Sequence, residues 1–164
     1  MTRIGICSDT HGFFDKKILE HFNECDEIWH AGDIGNMAII DQLQATGKII
    51  RIVSGNIDDQ LVRRTVPHFE CFMVENFKVL LIHIAGPFGK YNLQVKELIQ
   101  LNKPGILVCG HSHILKMAFD PKFGLLYINP GAAGLYGAQV VRTLIRFIIN
   151  GSALEKMEIV EMHN

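Results

Sequence analysis

The chain has 164 residues, 48% of them hydrophobic and 20% charged, with a formal net charge of −1. That length suits a single domain, here residues 1–164, with enough apolar side chain to bury a core. Lysine and arginine are dispersed, never in a run longer than a pair (Lys16-Lys17, Arg63-Arg64), so the chain lacks the basic footprint of a nucleic-acid carrier. No apolar stretch is long enough to span a bilayer.

In chain order, residues 3–8 read as a buried strand, and 15–22 as a helix with Ile18, Leu19 and Phe22 at helical spacing. Residues 27–31 form a second strand. A helix over 37–43 follows, with Ile39, Ile40 and Leu43 on one side, and then a third strand over 48–53. This β-α-β-α-β alternation implies a parallel sheet. Beyond it, 70–74 and 78–82 read as a hairpin, 91–101 as a helix ending before Pro104, and 106–109 as a strand. Residues 115–119 and 125–128 flank a turn over 120–124, and 140–149 and 154–162 flank the Asn150-Gly151 turn. Asn150-Gly151-Ser152 also matches a glycosylation sequon, but Asn-Gly between two apolar runs favours the hairpin. The second half is thus expected to be β-rich and largely antiparallel.

Cys7, Cys25, Cys71 and Cys109 include no Cys-x-x-Cys pair and read as free, reduced thiols. With no signal-like apolar segment at the N-terminus, a cytoplasmic location is expected.

Five short motifs follow apolar runs: Asp9-Thr10-His11, Gly32-Asp33, Gly55-Asn56, His83 and Gly110-His111-Ser112-His113. Aspartate, asparagine and histidine offer the oxygen and imidazole donors of hard or borderline divalent ions. Asp9 and His11, two apart in an extended chain, would point the same way and reach one ion. Asp9-Thr10-His11-Gly12 is equally readable as an ordinary turn. Asp33 is either a carboxylate bridging two cations about 3.5–4 Å apart or the N-cap of the helix that starts near Asn36. Asn56 is a carbonyl ligand and amide donor, or a turn residue; His83 taken alone reads more readily as structural than as a ligand. His111 and His113 have the spacing of a chelating pair. His30 also ends a strand, whereas His21, His68 and His163 read as solvated surface residues.

Together these motifs resemble the calcineurin-like metallophosphoesterase family over essentially the whole chain. Gly55-Asn56-Ile57-Asp58 and Asn129-Pro130-Gly131 look most like its small YfcE-type phosphodiesterases. The resemblance implies an α/β fold, a four-layer αββα sandwich of two mixed β-sheets with outer helices. It implies two divalent metal ions, manganese first and nickel, zinc or iron as alternatives. Asp9, His11, Asp33 and His113 would hold the first ion, and Asp33 would bridge to a second completed by Asn56, His83 and His111. His30 becomes a candidate for orienting these ligands.

Two departures stand out. Relatives often carry a histidine after Gly-Asn that protonates the leaving oxygen; here it is Ile57, with Asp58 next to it. Relatives also often show His-Gly-His where this chain has His83-Ile84-Ala85. The expected activity is hydrolysis of a small phosphodiester by in-line attack of hydroxide generated at the ions, with the Asn56 amide on the phosphoryl oxygens. Phosphomonoesterase activity is the enzymatic alternative, and a non-catalytic scaffold like the retromer subunit of this fold is the rival from another class. No stable nucleic-acid or membrane partner is expected. A homo-oligomer through the apolar segments 70–74 and 115–119 is.

Overall fold

In the computed structural model, which describes residues 1–163, two five-stranded sheets pack face to face and helices cover both outer faces. The first sheet holds β1 (Thr2–Cys7), β2 (Glu27–His30), β3 (Ile49–Ile52), β9 (Arg142–Asn150) and β10 (Ala153–Met162) in the order β10-β9-β1-β2-β3. The second holds β4 (Phe69–Val74), β5 (Phe77–Ile82), β6 (Ile106–Val108), β7 (Lys116–Asp120) and β8 (Leu125–Asn129) in the order β4-β5-β6-β8-β7. Helices α1 (Lys16–His21), α2 (Met37–Gln44) and α3 (Gln60–Thr65) lie against the first sheet, and α4 (Leu93–Asn102) against the second.

The layering follows from strands that are apolar on both faces. Side chains alternate across a strand. Ile4, Ile6, Trp29 and Ala31 therefore meet Val79, Leu81, Ile106 and Val108 between the sheets. Their neighbours Cys7 and Ile28 face α1 and α2, while Leu80, Ile82 and Leu107 face Val95 and Ile99 of α4. Trp29 anchors the middle layer, its ring edge-on to Phe72 and Phe147 at 5.2 and 6.0 Å. Each such fully buried aliphatic or aromatic side chain contributes roughly 1.5–3 kcal/mol.

The helices begin where polar caps stand. Asp15, Asn36, Asp59 and Asn92 each accept a backbone N–H of the first turn. Asn36, not Asp33, caps α2, so the Asp33 carboxylate is left for another use. Helix α3 has no counterpart in the sequence reading. Six residues long with only Val62 buried, it carries too little periodicity to register.

The second half is less antiparallel than expected. β5 pairs with β6, and β6 with β8, in parallel. The crossover through α4 imposes the first of these, because a helical connection returns the chain to the same end of the sheet. The β1-β2-β3 ladder is parallel as expected, and β9 closes onto β1 antiparallel.

Candidate metal centre

The motifs sit on the loops after β1, β2, β3, β5 and β6, and hydrogen bonds continue the sheet pairings into them. Asp9 N donates to Gly32 O, His11 N to Asp33 O, and Gly110 N to His83 O, at 2.9–3.0 Å. His111 N donates to Asp9 Oδ2 at 3.1 Å, joining a loop of one sheet to a loop of the other. Close approach explains two of the motif glycines. A Cβ at Gly55 would overlap the Asp33 carboxylate, and one at Gly110 would overlap Ser8 Oγ and Asp9 Oδ2. Asp9, His11, Asp33, His111 and His113 all lie at positive φ, between 48° and 69°. For a side-chain-bearing residue this costs about 1–2 kcal/mol each, and such strain concentrates at functional sites. Asp9 and His11 therefore do not converge as alternate residues of an extended strand; the chain has already curled, and the curl brings them together.

The donors gather in two groups. Asp9, His11 and His113 form one, and Asp33, His83 and His111 the other, with the ligand atoms of each group within 4.8 Å of one another. Asp33 faces both: Oδ2 lies 3.4 Å from His11 Nε2 and Oδ1 lies 3.2 Å from His83 Nε2. Asp9 Oδ1 lies 3.2 Å from His113 Nε2. Asn56 Oδ1 joins the second group, 3.1 Å from His83 Nε2 and 2.9 Å from His111 Nδ1. His111 and His113, both at positive φ, thus fall in different groups and do not chelate one ion as their spacing alone suggests.

Two atoms in the site, Asp9 Oδ1 and His11 Nε2, are buried with no hydrogen-bond partner among the described residues. Such orphans are costly unless an ion or ordered group meets them. His83 Nδ1 donates to Ala31 O at 2.7 Å, which directs its Nε2 at the carboxylates. Burial alone would raise the Asp9 and Asp33 carboxyls. The surrounding histidines, the Ser8 hydroxyl on Asp9 and the Ile57 N–H on Asp33 outweigh it, and both are held below the usual carboxylate range. Burial would lower His83, but Asp33 and Asp9 overcome it and raise its pKa. The same negative field favours a cation at this spot, and the mixed oxygen and imidazole donors fit divalent ions of the first transition row.

Sequence reasoning missed several supporting residues. Gln139 Oε1 lies 3.1 Å from His113 Nδ1, Tyr136 stacks on His11 with ring centroids 4.9 Å apart, and Asn129 Nδ2 donates to Gly110 O at 2.8 Å. No spacing ties Gln139 or Tyr136 to a motif; only Asn129 belonged to a segment noted for its resemblance. His30, fully buried, does not touch a carboxylate. Its Nδ1 accepts from Gly32 N, and its Nε2 meets Thr10 Oγ1 at 3.0 Å. Asp58 accepts from Gly35 N and Gly55 N at 2.8 and 2.7 Å, a loop-stabilising role. His68 and His163 are exposed as expected, whereas His21 is half-buried.

Comparison with known proteins identifies the class. A family model for the calcineurin-like phosphoesterase superfamily domain matches residues 2–151, and the chain belongs to that superfamily, a family of metal-dependent phosphoesterases. The chain is 28% identical over 162 residues to a probable metallophosphoesterase of Methanocaldococcus jannaschii, covering 94% of this chain and 78% of the relative. Among solved structures, a novel archaeal phosphodiesterase superposes with a TM-score of 0.77 at 19% identity, covering 98% of this chain and 99% of that one. Wild-type Vps29 of Entamoeba histolytica, in a complex with Zn²⁺, superposes with a TM-score of 0.74 at 19% identity, covering 97% and 98%. A predicted phosphoesterase of Streptococcus pneumoniae gives 0.74 at 20% identity, covering 98% and 89%. At these identities the structures share the αββα fold with this chain. Among the described residues, no helix is long and apolar enough to cross a membrane.

Proposed function

We propose that the protein is a two-metal phosphodiesterase acting on small phosphodiesters. The observation that carries this reading is the Asp33 carboxylate, whose two oxygens face two separate histidine groups at 3.4 and 3.2 Å. Asp9, His11, His113 and Asp33 Oδ2 would hold one divalent ion. Asp33 Oδ1, Asn56, His83 and His111 would hold the other. Manganese is the first candidate, with nickel, zinc and iron compatible with the same donors. The chemistry two such ions supply is Lewis-acid polarisation of the phosphoryl group and a lowered pKa for attacking water.

The protein's own groups do the rest. Asn56 turns its Oδ1 toward His83 and His111, which leaves its amide N–H donors for a phosphoryl oxygen. Arg63 Nη2 donates to Asn56 O at 2.8 Å, bringing a guanidinium to the approximately 330 Å³ groove that Asn56, His68 and His83 line. The four cysteines are unpaired, and we place the protein in a reducing cytoplasm.

A scaffold role is the rival reading, because Vps29 chains share the fold. The full set of seven donors, converged in two groups, favours the enzyme. The test combines elemental analysis with turnover of an aryl phosphodiester and the matching monoester. Two metal ions per chain and faster diester turnover are expected. Asp33→Ala, which removes a donor from both groups, should leave at most one ion and lower turnover by more than roughly 100-fold. Metal-loaded protein that hydrolyses neither ester would establish the scaffold reading, and faster monoester turnover would make the enzyme a phosphomonoesterase.

A further inference from the structure

Beyond His83, the chain runs Ile84-Ala85-Gly86-Pro87-Phe88 and crosses in front of the loop that carries Gly110-His111. Between them lies a groove of about 590 Å³, lined by His111, Ile84, Pro87, Phe88, Ile114 and Tyr127. Its floor is aromatic. Phe88 meets the ring of Tyr127 edge-on, with centroids 5.5 Å apart and planes at 76°. Lys116 holds its ammonium 4.5 Å from the Phe88 ring centroid. Ile114 stands at the rim, 67% exposed. The groove is therefore an apolar, ring-lined cleft with one cation at its edge, of the volume that small-molecule sites have.

Its position gives it meaning. His111 belongs both to this groove and to the Asp33-His83-His111 group. Ile84 lines this groove and also the smaller one beside Asn56 and Arg63, and so forms a ridge between them. A phosphate held at the metal centre would have its two ester arms next to two clefts, of which this one carries the aromatic pair Phe88 and Tyr127. Ile84 and Ala85 make this wall apolar.

We propose that this groove is the subsite for an aromatic ring ester-linked to the substrate phosphate, which makes aryl or nucleoside-type phosphodiesters the preferred class over alkyl ones. The inference rests on the metal-centre reading. Ring on ring contact with Phe88 and Tyr127 favours an aromatic arm, and the Lys116 ammonium can sit over its π face or bind a polar substituent.

Phosphonates test it without turnover. Phenylphosphonate and methylphosphonate carry the same anionic head, so their affinities for manganese-loaded protein, measured by calorimetry, differ only through the arm. The wild type should bind phenylphosphonate roughly tenfold or more tighter. Ile114→Asn, at an exposed position that leaves the core untouched and adds no charge, and Phe88→Ala should each bring the two affinities to within about threefold, with methylphosphonate binding unchanged. Equal affinities in the wild type, or a phenyl preference that survives both variants, would overturn the subsite while leaving the metal centre standing. If neither phosphonate binds, the metal-centre reading fails and the subsite falls with it.

Discussion

Gln139 joins three partners: Oε1 takes the Nδ1 proton of His113 at 3.1 Å, while Nε2 donates to Gly134 O and Tyr136 O at 3.2 and 2.7 Å. These bonds hold the imidazole so that Nε2 faces Asp9. Outer partners of this kind are worth roughly 10- to 100-fold in metal affinity. Gln139→Ala should weaken metal binding by that factor at nearly unchanged thermal stability, as metal-buffered titration would read; unchanged affinity would show the contact to be incidental. Ile57 raises a different question, because its 44% exposed side chain cannot exchange a proton while its N–H serves Asp33 at 3.0 Å. Neither sequence neighbour replaces it: Asp58 has both oxygens engaged, and both ring nitrogens of His30 are engaged in the interior. Turnover should therefore rise steeply with leaving-group acidity, since a positioned general acid is commonly worth roughly 10²–10⁴ in rate. A series of aryl and alkyl diesters measures this slope, and Ile57→His should flatten it. A flat series in the wild type, with chemistry rate-limiting, would point instead to His68, which lines the groove beside Asn56.

At the scale of elements, the site is a set of loops tied to one another underneath. Gly32 N donates to His30 Nδ1, His30 Nε2 meets Thr10 Oγ1, and Thr10 Oγ1 donates to Ile34 O, so the β1 and β2 loops share one buried chain of bonds. Asp58 ties the β3 loop to the segment before α2 in the same way. Burial lowers the His30 pKa to about 4, although Asp58 and Asp9 pull it up. The folded state thus keeps this imidazole neutral where the unfolded chain, with a pKa of about 6.5, takes up a proton. Its contribution is complete above about pH 6.5 and is lost as pH falls toward 4, a change of about 3 kcal/mol. Urea midpoints of metal-free protein at pH 7 and pH 4.5 should therefore fall further for the wild type than for His30→Gln; parallel falls would mean that His30 is protonated in the fold. Strands such as β1 and β5 were legible as short apolar runs, and the β4-β5 and β9-β10 hairpins from their turns. The parallel β6-β8 pairing was not, because β8 skips over β7 and no local pattern records a pairing with a strand that is not its neighbour in sequence.

Across the whole molecule, the two apolar segments expected at a sheet margin are there: β4 and β7 are the two edges of the second sheet. Met73 and Phe119 on them are 53% and 63% exposed. Unpaired edges with apolar side chains invite pairing, and we expect a homo-oligomer that light scattering would detect and that Met73→Lys with Phe119→Lys would return to monomer. A wild type that scatters only as a monomer would refute it. The sequence by itself determined the ten strands' approximate places and three of the four helices, and singled out the seven polar side chains that the structure gathers in one place, because apolar runs and chemically distinctive side chains are local properties. Only the tertiary structure decided that positive-φ turns, not an extended strand, bring Asp9 and His11 together, and that Gln139 and Tyr136 support the site. Those outcomes depend on where two separate sheets bring their loops together and on backbone turned to positive φ by hydrogen bonds between them. Distances through space of this kind have no counterpart in spacing along the chain.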